Sequence, residues 1–148
     1  VNYYSHATYM TANHGHAALF GVYGMLSISM LLFTWRSLIK NHAWSNNLLK
    51  VSFWCMNGGL LLMTFTALLP IGILQVMKSY TDGFSVARSI EFYNDPTVQS
   101  FAQWRIVPDI IIITGALALL LFLIKTYPAL KQVGFKEDEQ IFKGDKPF

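Results

Sequence analysis

Thr11-Ala12-Asn13-His14-Gly15-His16-Ala17-Ala18-Leu19-Phe20-Gly21 is the stretch whose reading decides the fold. If it is helical, each residue advances by about 100°, so His14 and His16 point about 200° apart, onto opposite faces. Two imidazoles placed that way cannot close on one metal ion, yet each can hold its own large cofactor. If the stretch is a strand, both rings fall on one face and suit a single zinc or copper ion. The surroundings favour helix. Lys, Arg, Asp and Glu are absent from Val1 through Trp35, and the run after Thr11 shows no strict alternation of apolar and polar residues.

A second charge-free window spans Val51 to Met77. A third runs from Ile110 to Ile124 and extends upstream through Ile106, Val107 and Pro108 if Asp109 sits near the interface. A helix crossing the hydrocarbon needs about 20 mostly apolar residues. The reading is therefore an all-α membrane protein of about three transmembrane helices, approximately 11–36, 50–77 and 106–126. An outer loop, 78–105, and an inner tail, 127–148, complete one membrane segment with no internal repeat. Composition agrees: 53% of the 148 residues are hydrophobic and 13% charged, with a mean hydropathy of +0.39, against roughly 25% charged in an average soluble domain.

Charge placement sets the expected orientation. Arg36, Lys40, Lys50, Lys125, Lys131, Lys136, Lys143 and Lys146 fall on one side, and Lys78, Arg88 and Arg105 on the other. The richer side reads as the inner one, which puts the chain start outside and the C-terminus inside. Glu137, Asp138, Glu139 and Asp145 make the tail a mixed, solvated segment with little helical signal. The formal charge of +3 comes from basic residues at span ends; with no aromatic-interleaved basic patch, nucleic acid is set aside as a partner. The single cysteine, Cys55, excludes an internal disulfide and reads as a small packing residue. The chain begins with Val and shows no positively charged n-region before the first span, so it reads as a piece of a larger polypeptide.

An imidazole inside a membrane bundle is a functional candidate by default. Ala17, Ala18, Gly21 and Gly24 follow the pair, and small residues let a wide planar macrocycle, or another helix, lie close. Haem iron is the natural partner of an axial His, leaving its other face open. Zinc asks for further Cys, His or carboxylate ligands, and the first span offers none. His6 reads either as a cap on the haem region or as a loop residue, and His42 as a solvated loop residue.

Three stretches resemble a known family. Asn2-Tyr3-Tyr4-Ser5-His6, Thr11-Ala12-Asn13-His14-Gly15-His16 and Phe20-Gly21-Val22-Tyr23-Gly24 resemble the tenth core helix of nitric oxide reductase large (catalytic) subunits, members of the haem–copper oxidase superfamily. Ala87-Arg88-Ser89-Ile90-Glu91-Phe92, and Trp104-Arg105 followed by Pro108-Asp109, are similar to the quinol-dependent branch. Asn13 departs from the small residue that the family pattern leads one to expect there.

The resemblance implies that the chain is the C-terminal part of a bundle of twelve or more helices. It implies that His14 is the axial ligand of the high-spin haem b3 and His16 that of the low-spin haem b. The implied reaction is the two-electron reduction of two nitric oxide molecules to nitrous oxide and water. Electrons would come from quinol, or from a cytochrome c donor, in a bacterial inner membrane. Non-haem iron would be held by residues outside this chain, on the remainder of the catalytic subunit. Arg88 and Arg105 are candidate partners of haem propionates, because a guanidinium forks onto a carboxylate; Arg88 could instead pair with Glu91. Two other readings stand beside this one: a fragment of an oxygen-reducing relative, and a non-enzymatic haem-binding subunit for electron transfer or assembly.

In the rest of the chain, Gly58-Gly59 suits close helix packing and Pro70 predicts a kink. Asp95-Pro96 reads as a turn leading into a short interfacial helix. Trp104 suits the aromatic belt.

Overall fold

The three charge-free windows become three long helical rods. The computed structural model describes residues 2–39 and 44–144, with side chains described for 3–39 and 44–130. After a short helix α1 (Asn2–Ser5), the first rod comprises α2 (Tyr9–Gly15), a wide-turned π-helical segment π1 (His16–Gly24) and α3 (Met25–Leu38). The second comprises α4 (Asn46–Met63), π2 (Thr64–Leu68) and α5 (Leu69–Thr81). A 3₁₀ turn (Val86–Arg88), α6 (Ile90–Tyr93) and α7 (Pro96–Trp104) lead into α8 (Ile106–Gly144). No strand occurs among the described residues. Tyr9–Leu38, Asn46–Thr81 and Pro96–Leu130 are each long and apolar enough to cross a membrane, and the chain is a multi-pass, all-α membrane protein.

Hydroxyls within the rods bond to their own helices, as hydrocarbon requires. Ser27, Ser29 and Thr34 donate to the carbonyls of Tyr23, Met25 and Met30, four residues back. Thr66 and Thr114 do the same toward Leu62 and Ile110.

Glycine fixes where α4 and α8 cross. A Cβ on Gly59 would lie 2.7 Å from Ile112 Cγ1 and 3.1 Å from Pro108 O; one on Gly115 would lie 2.7 Å from Met56 Cγ and 2.9 Å from Met56 N. Only hydrogen at these two positions lets the backbones approach so closely. Gly58 does not share that role, since a Cβ there meets nothing within 4 Å. Half-buried Cys55 packs at the same crossing, its Cβ 3.0 Å from the position a Gly115 side chain would take.

Other expectations are refined. Just before Pro70 the chain loosens into π2, where the Leu69 N–H reaches back five residues to Thr64 O. The wider turn takes up the crowding that a proline ring imposes on the preceding turn. Pro96 is the first residue of α7, and Asp95 caps that helix by accepting from Thr97 N–H at 2.8 Å. The segment from 127, read as having little helical signal, continues as helix to Gly144 through Pro128; Leu, Lys, Glu and Gln are good helix formers, and summed over the segment their propensity prevails. His42 and Lys40, and Asp145 and Lys146, lie outside the described residues.

The two ends of the bundle are built differently. At the end that holds the chain start and residues 82–105, called outer after the charge reading alone, buried Ile71, Phe92 and Val98 pack with Tyr9, Leu74 and Phe101. At the opposite end, Trp35 Nε1 donates to the buried Thr126 Oγ1 at 2.9 Å, joining the first rod to α8. The Arg36 guanidinium lies 4.6 Å from the centre of the Trp44 ring, whose edge meets Phe122 at 4.9 Å.

Candidate functional site

The histidine pair sits where the first rod changes its winding. His14 lies in the last turn of α2 and His16 opens π1, so the strand alternative, with both rings on one face, does not apply. Thr8 starts the helix: its side chain accepts from Met10 N–H at 3.2 Å and donates to Ser5 O at 2.6 Å. Five residues separate this cap from the Asn13-His14 step.

His16 is half-buried and its Nδ1 lies 2.8 Å from Ala12 O. A carbonyl only accepts, so the bond requires the proton on Nδ1 and leaves Nε2 with its lone pair free. That is the tautomer an axial metal ligand needs, held by a backbone acceptor. The ring opens on a cleft of about 400 Å³ between the first rod, α4 and α8. Phe20, Leu60, Met63, Ile112 and Ile113 make its apolar walls, and Arg105 and Asp109 stand at its edge.

Arg105 brings unspent hydrogen-bonding capacity to this cleft. Its Nε is 3.5 Å from Asp109 Oδ2, too long for a good hydrogen bond, and this buried nitrogen has no hydrogen-bond partner among the described residues. A free imidazole lone pair, apolar walls and an under-used guanidinium at the rim together fit an axially ligated haem with a propionate at the edge. His14 lies outside the lining of this cleft. Its ring is exposed and has no hydrogen bond to a described residue. Ala17 and Ala18, three and four residues on, leave its face of the rod low. Beside it, Asn13 Oδ1 is buried without a hydrogen-bond partner among the described residues.

Arg88 is committed elsewhere. Its Nη1 donates to Phe84 O at 2.7 Å and Ser79 Oγ at 3.3 Å, its Nη2 donates to His6 O, and its Cζ stacks 3.3 Å from the Phe84 ring centre. It forms no pair with Glu91, which is exposed. His6 enters this outer clamp through its carbonyl, and its side chain is exposed. The arginine earlier in the sequence thus braces the outer connection, while the later one faces the cleft with His16.

Sequence reasoning missed Gln75, a fully buried amide bonded to three elements. A lone glutamine in an otherwise charge-free run is a weak flag, but it was there to be seen. Among the described residues, no three His, Cys, Asp or Glu side chains gather as a metal-binding set. Residues 1–123 match the family model described as Cytochrome C and Quinol oxidase polypeptide I.

Proposed function

We propose, from the premise that this chain belongs to the cytochrome c and quinol oxidase polypeptide I family, within the haem–copper oxidase superfamily, that it is the C-terminal part of a membrane nitric oxide reductase. In this reading His14 is the axial ligand of the high-spin haem b3, and His16 that of the low-spin haem b. The carrying observation is the His16 imidazole, its Nδ1 proton engaged by Ala12 O and its Nε2 free beside the cleft shared with Arg105. When bound, the haems would pass electrons from quinol and hold nitric oxide for reduction to nitrous oxide and water.

The chain's own residues do the arranging. Ala12 O fixes the tautomer and ring plane of His16. Phe20, Leu60, Met63, Ile112 and Ile113 give the cleft apolar walls, which would strengthen electrostatic interactions with a bound group. Arg105 is favoured over Arg88 as the propionate partner because it lines the cleft with His16, whereas both terminal nitrogens of Arg88 are already bonded. The two histidines share one turn of one rod, so the two irons would be held in a single rigid frame.

The family description names oxidases, which keeps an oxygen-reducing enzyme as the second reading. Metal analysis of the assembled membrane enzyme separates them: non-haem iron fits the reductase and copper the oxidase. Replacing the histidines one at a time tests the ligand assignment. His14→Ala is expected to abolish the high-spin haem spectrum and His16→Ala the low-spin one. Native haem spectra and turnover in both variants would refute it.

A further inference from the structure

At the outer end of the molecule lies a buried amide that the chemistry above does not use. Gln75 on α5 has no solvent exposure. An amide in apolar surroundings costs free energy unless its polar atoms find partners. Here they do, on three different elements. Oε1 accepts from Tyr9 N–H at 2.8 Å, and Nε2 donates to Ala87 O at 2.9 Å and to Tyr93 Oη at 3.0 Å. Tyr9 is the first residue of α2, so its N–H is one of those that no carbonyl of its own helix can reach. Gln75 therefore caps the histidine-bearing rod from a different rod.

Its neighbours on the same face of α5 complete the attachment. At Gly72, three residues before Gln75, a Cβ would lie 2.7 Å from Met10 N and 3.2 Å from Tyr9 C, so two backbones touch there. Four residues after Gln75, Ser79 Oγ receives Arg88 Nη1, while Nη2 of the same guanidinium holds His6 O. Between these points Ala7 sits at φ 53°, in the left-handed region that is costly for alanine. Such a residue persists only where its surroundings over-determine it. Gly72, Gln75 and Ser79 are all buried.

His14 and His16 follow Tyr9 by five and seven residues, about 7.5 and 10.5 Å along the axis at about 1.5 Å per residue. Between this attachment and the Trp35–Thr126 bond at the other end of the rod, no residue of its apolar window is buried. Its height and rotation are consequently set largely from the first turn.

We propose that Gln75 is a positioning residue for His14 and His16, acting as a cap delivered across the bundle that sets the height and rotation of both imidazoles. The inference rests on the haem-ligand reading. Its test uses the assembled membrane enzyme, with haem content, the electron paramagnetic resonance signal of the low-spin haem and its midpoint potential as readouts. Gln75→Leu is expected to retain bound haem but shift both the low-spin signal and the potential. Gln75→Glu, which as a neutral acid keeps the acceptor for Tyr9 N–H and one donor, is expected to restore values near wild type. Tyr93→Phe, which loses only the hydroxyl acceptor, is expected to shift both readouts the same way by less. If Gln75→Leu keeps the wild-type signal and potential, the positioning role is overturned. If Gln75→Leu fails to assemble, an unshifted Tyr93→Phe variant with full haem content overturns it instead. His16→Ala in the same series keeps the two failures apart: a low-spin signal that survives His16→Ala removes the ligand reading, whereas its loss beside unshifted Gln75 and Tyr93 variants removes only the role of Gln75.

Discussion

The outer end and the exposed length of the first rod follow opposite rules. At the outer end, Gln75, Arg88, Thr8 and Asp95 each hold a backbone group of another residue, and Ile71, Phe92 and Val98 close over an apolar core. Along π1 and α3, polar side chains bond only to their own helix until Trp35 meets Thr126. The apolar window of this rod has none of its residues buried, against a third of the second rod's. Packing is concentrated at the start of the rod, while farther along the His14 ring is exposed and the His16 ring borders the cleft. Rigid support and accessible imidazoles are thus separated along one element, as the proposed ligand role would require.

The sharpest way to break this contrast is at the close crossing that backs the site. Gly115→Leu forces a side chain into Met56 and the backbone of α4, and a loss of about 3 kcal/mol is expected from such overpacking. Thermal unfolding of the detergent-solubilised enzyme checks it. Gly58→Ala is the matched control, expected to be neutral or slightly stabilising, because the space beside it is open. Next in size comes Gly72→Ala, whose Cβ meets Met10 N at 2.7 Å. A loss of about 1–2 kcal/mol is expected, together with faster amide exchange at Tyr9 and Met10. Exchange that stays as slow as in wild type would show that the outer end is not what fixes the rod.

Two smaller effects sharpen the comparison. Arg105→Gln is expected to shift the midpoint potential of the low-spin haem while leaving thermal stability within experimental error; an unmoved potential would take Arg105 out of the site. The smallest effect concerns acid. Asp95 is held below the usual carboxylate range, first by the Thr97 backbone N–H and then by its side chain. A carboxyl depressed in the folded state stabilises it above the unfolded value, and that contribution disappears as pH falls through the folded one. Exchange at the Thr97 amide should therefore rise more steeply than intrinsic chemistry below the ordinary aspartate value of 3.8. Asp95→Asn should keep the cap and lose that pH dependence.

Much of the fold was legible because hydrocarbon imposes a crude requirement: long runs without charge. Those runs located all three rods, and the spacing of His14 and His16 within one of them suggested two separate ligands. What stayed hidden depends on neighbours distant in the chain. Nothing local distinguishes Gly59 from Gly58; only the position of Ile112 does. Arg88 and Arg105 look alike in sequence, and their roles diverge because one folds onto Phe84 and His6 while the other faces His16. The π segments were invisible because a stretch apolar on every side has no polar face to betray a change of period.

The wide winding from His16 to Gly24 makes the first rod tolerant of a change in length. Removing one residue there would tighten the helix toward ordinary α geometry instead of breaking it. His16 would stay keyed to the cap above, and the lost residue would be absorbed within the wide turns, so that Trp35 keeps nearly the same facing toward Thr126. The segment works as a phase adjuster, allowing the two ends of the rod to be clocked independently of each other.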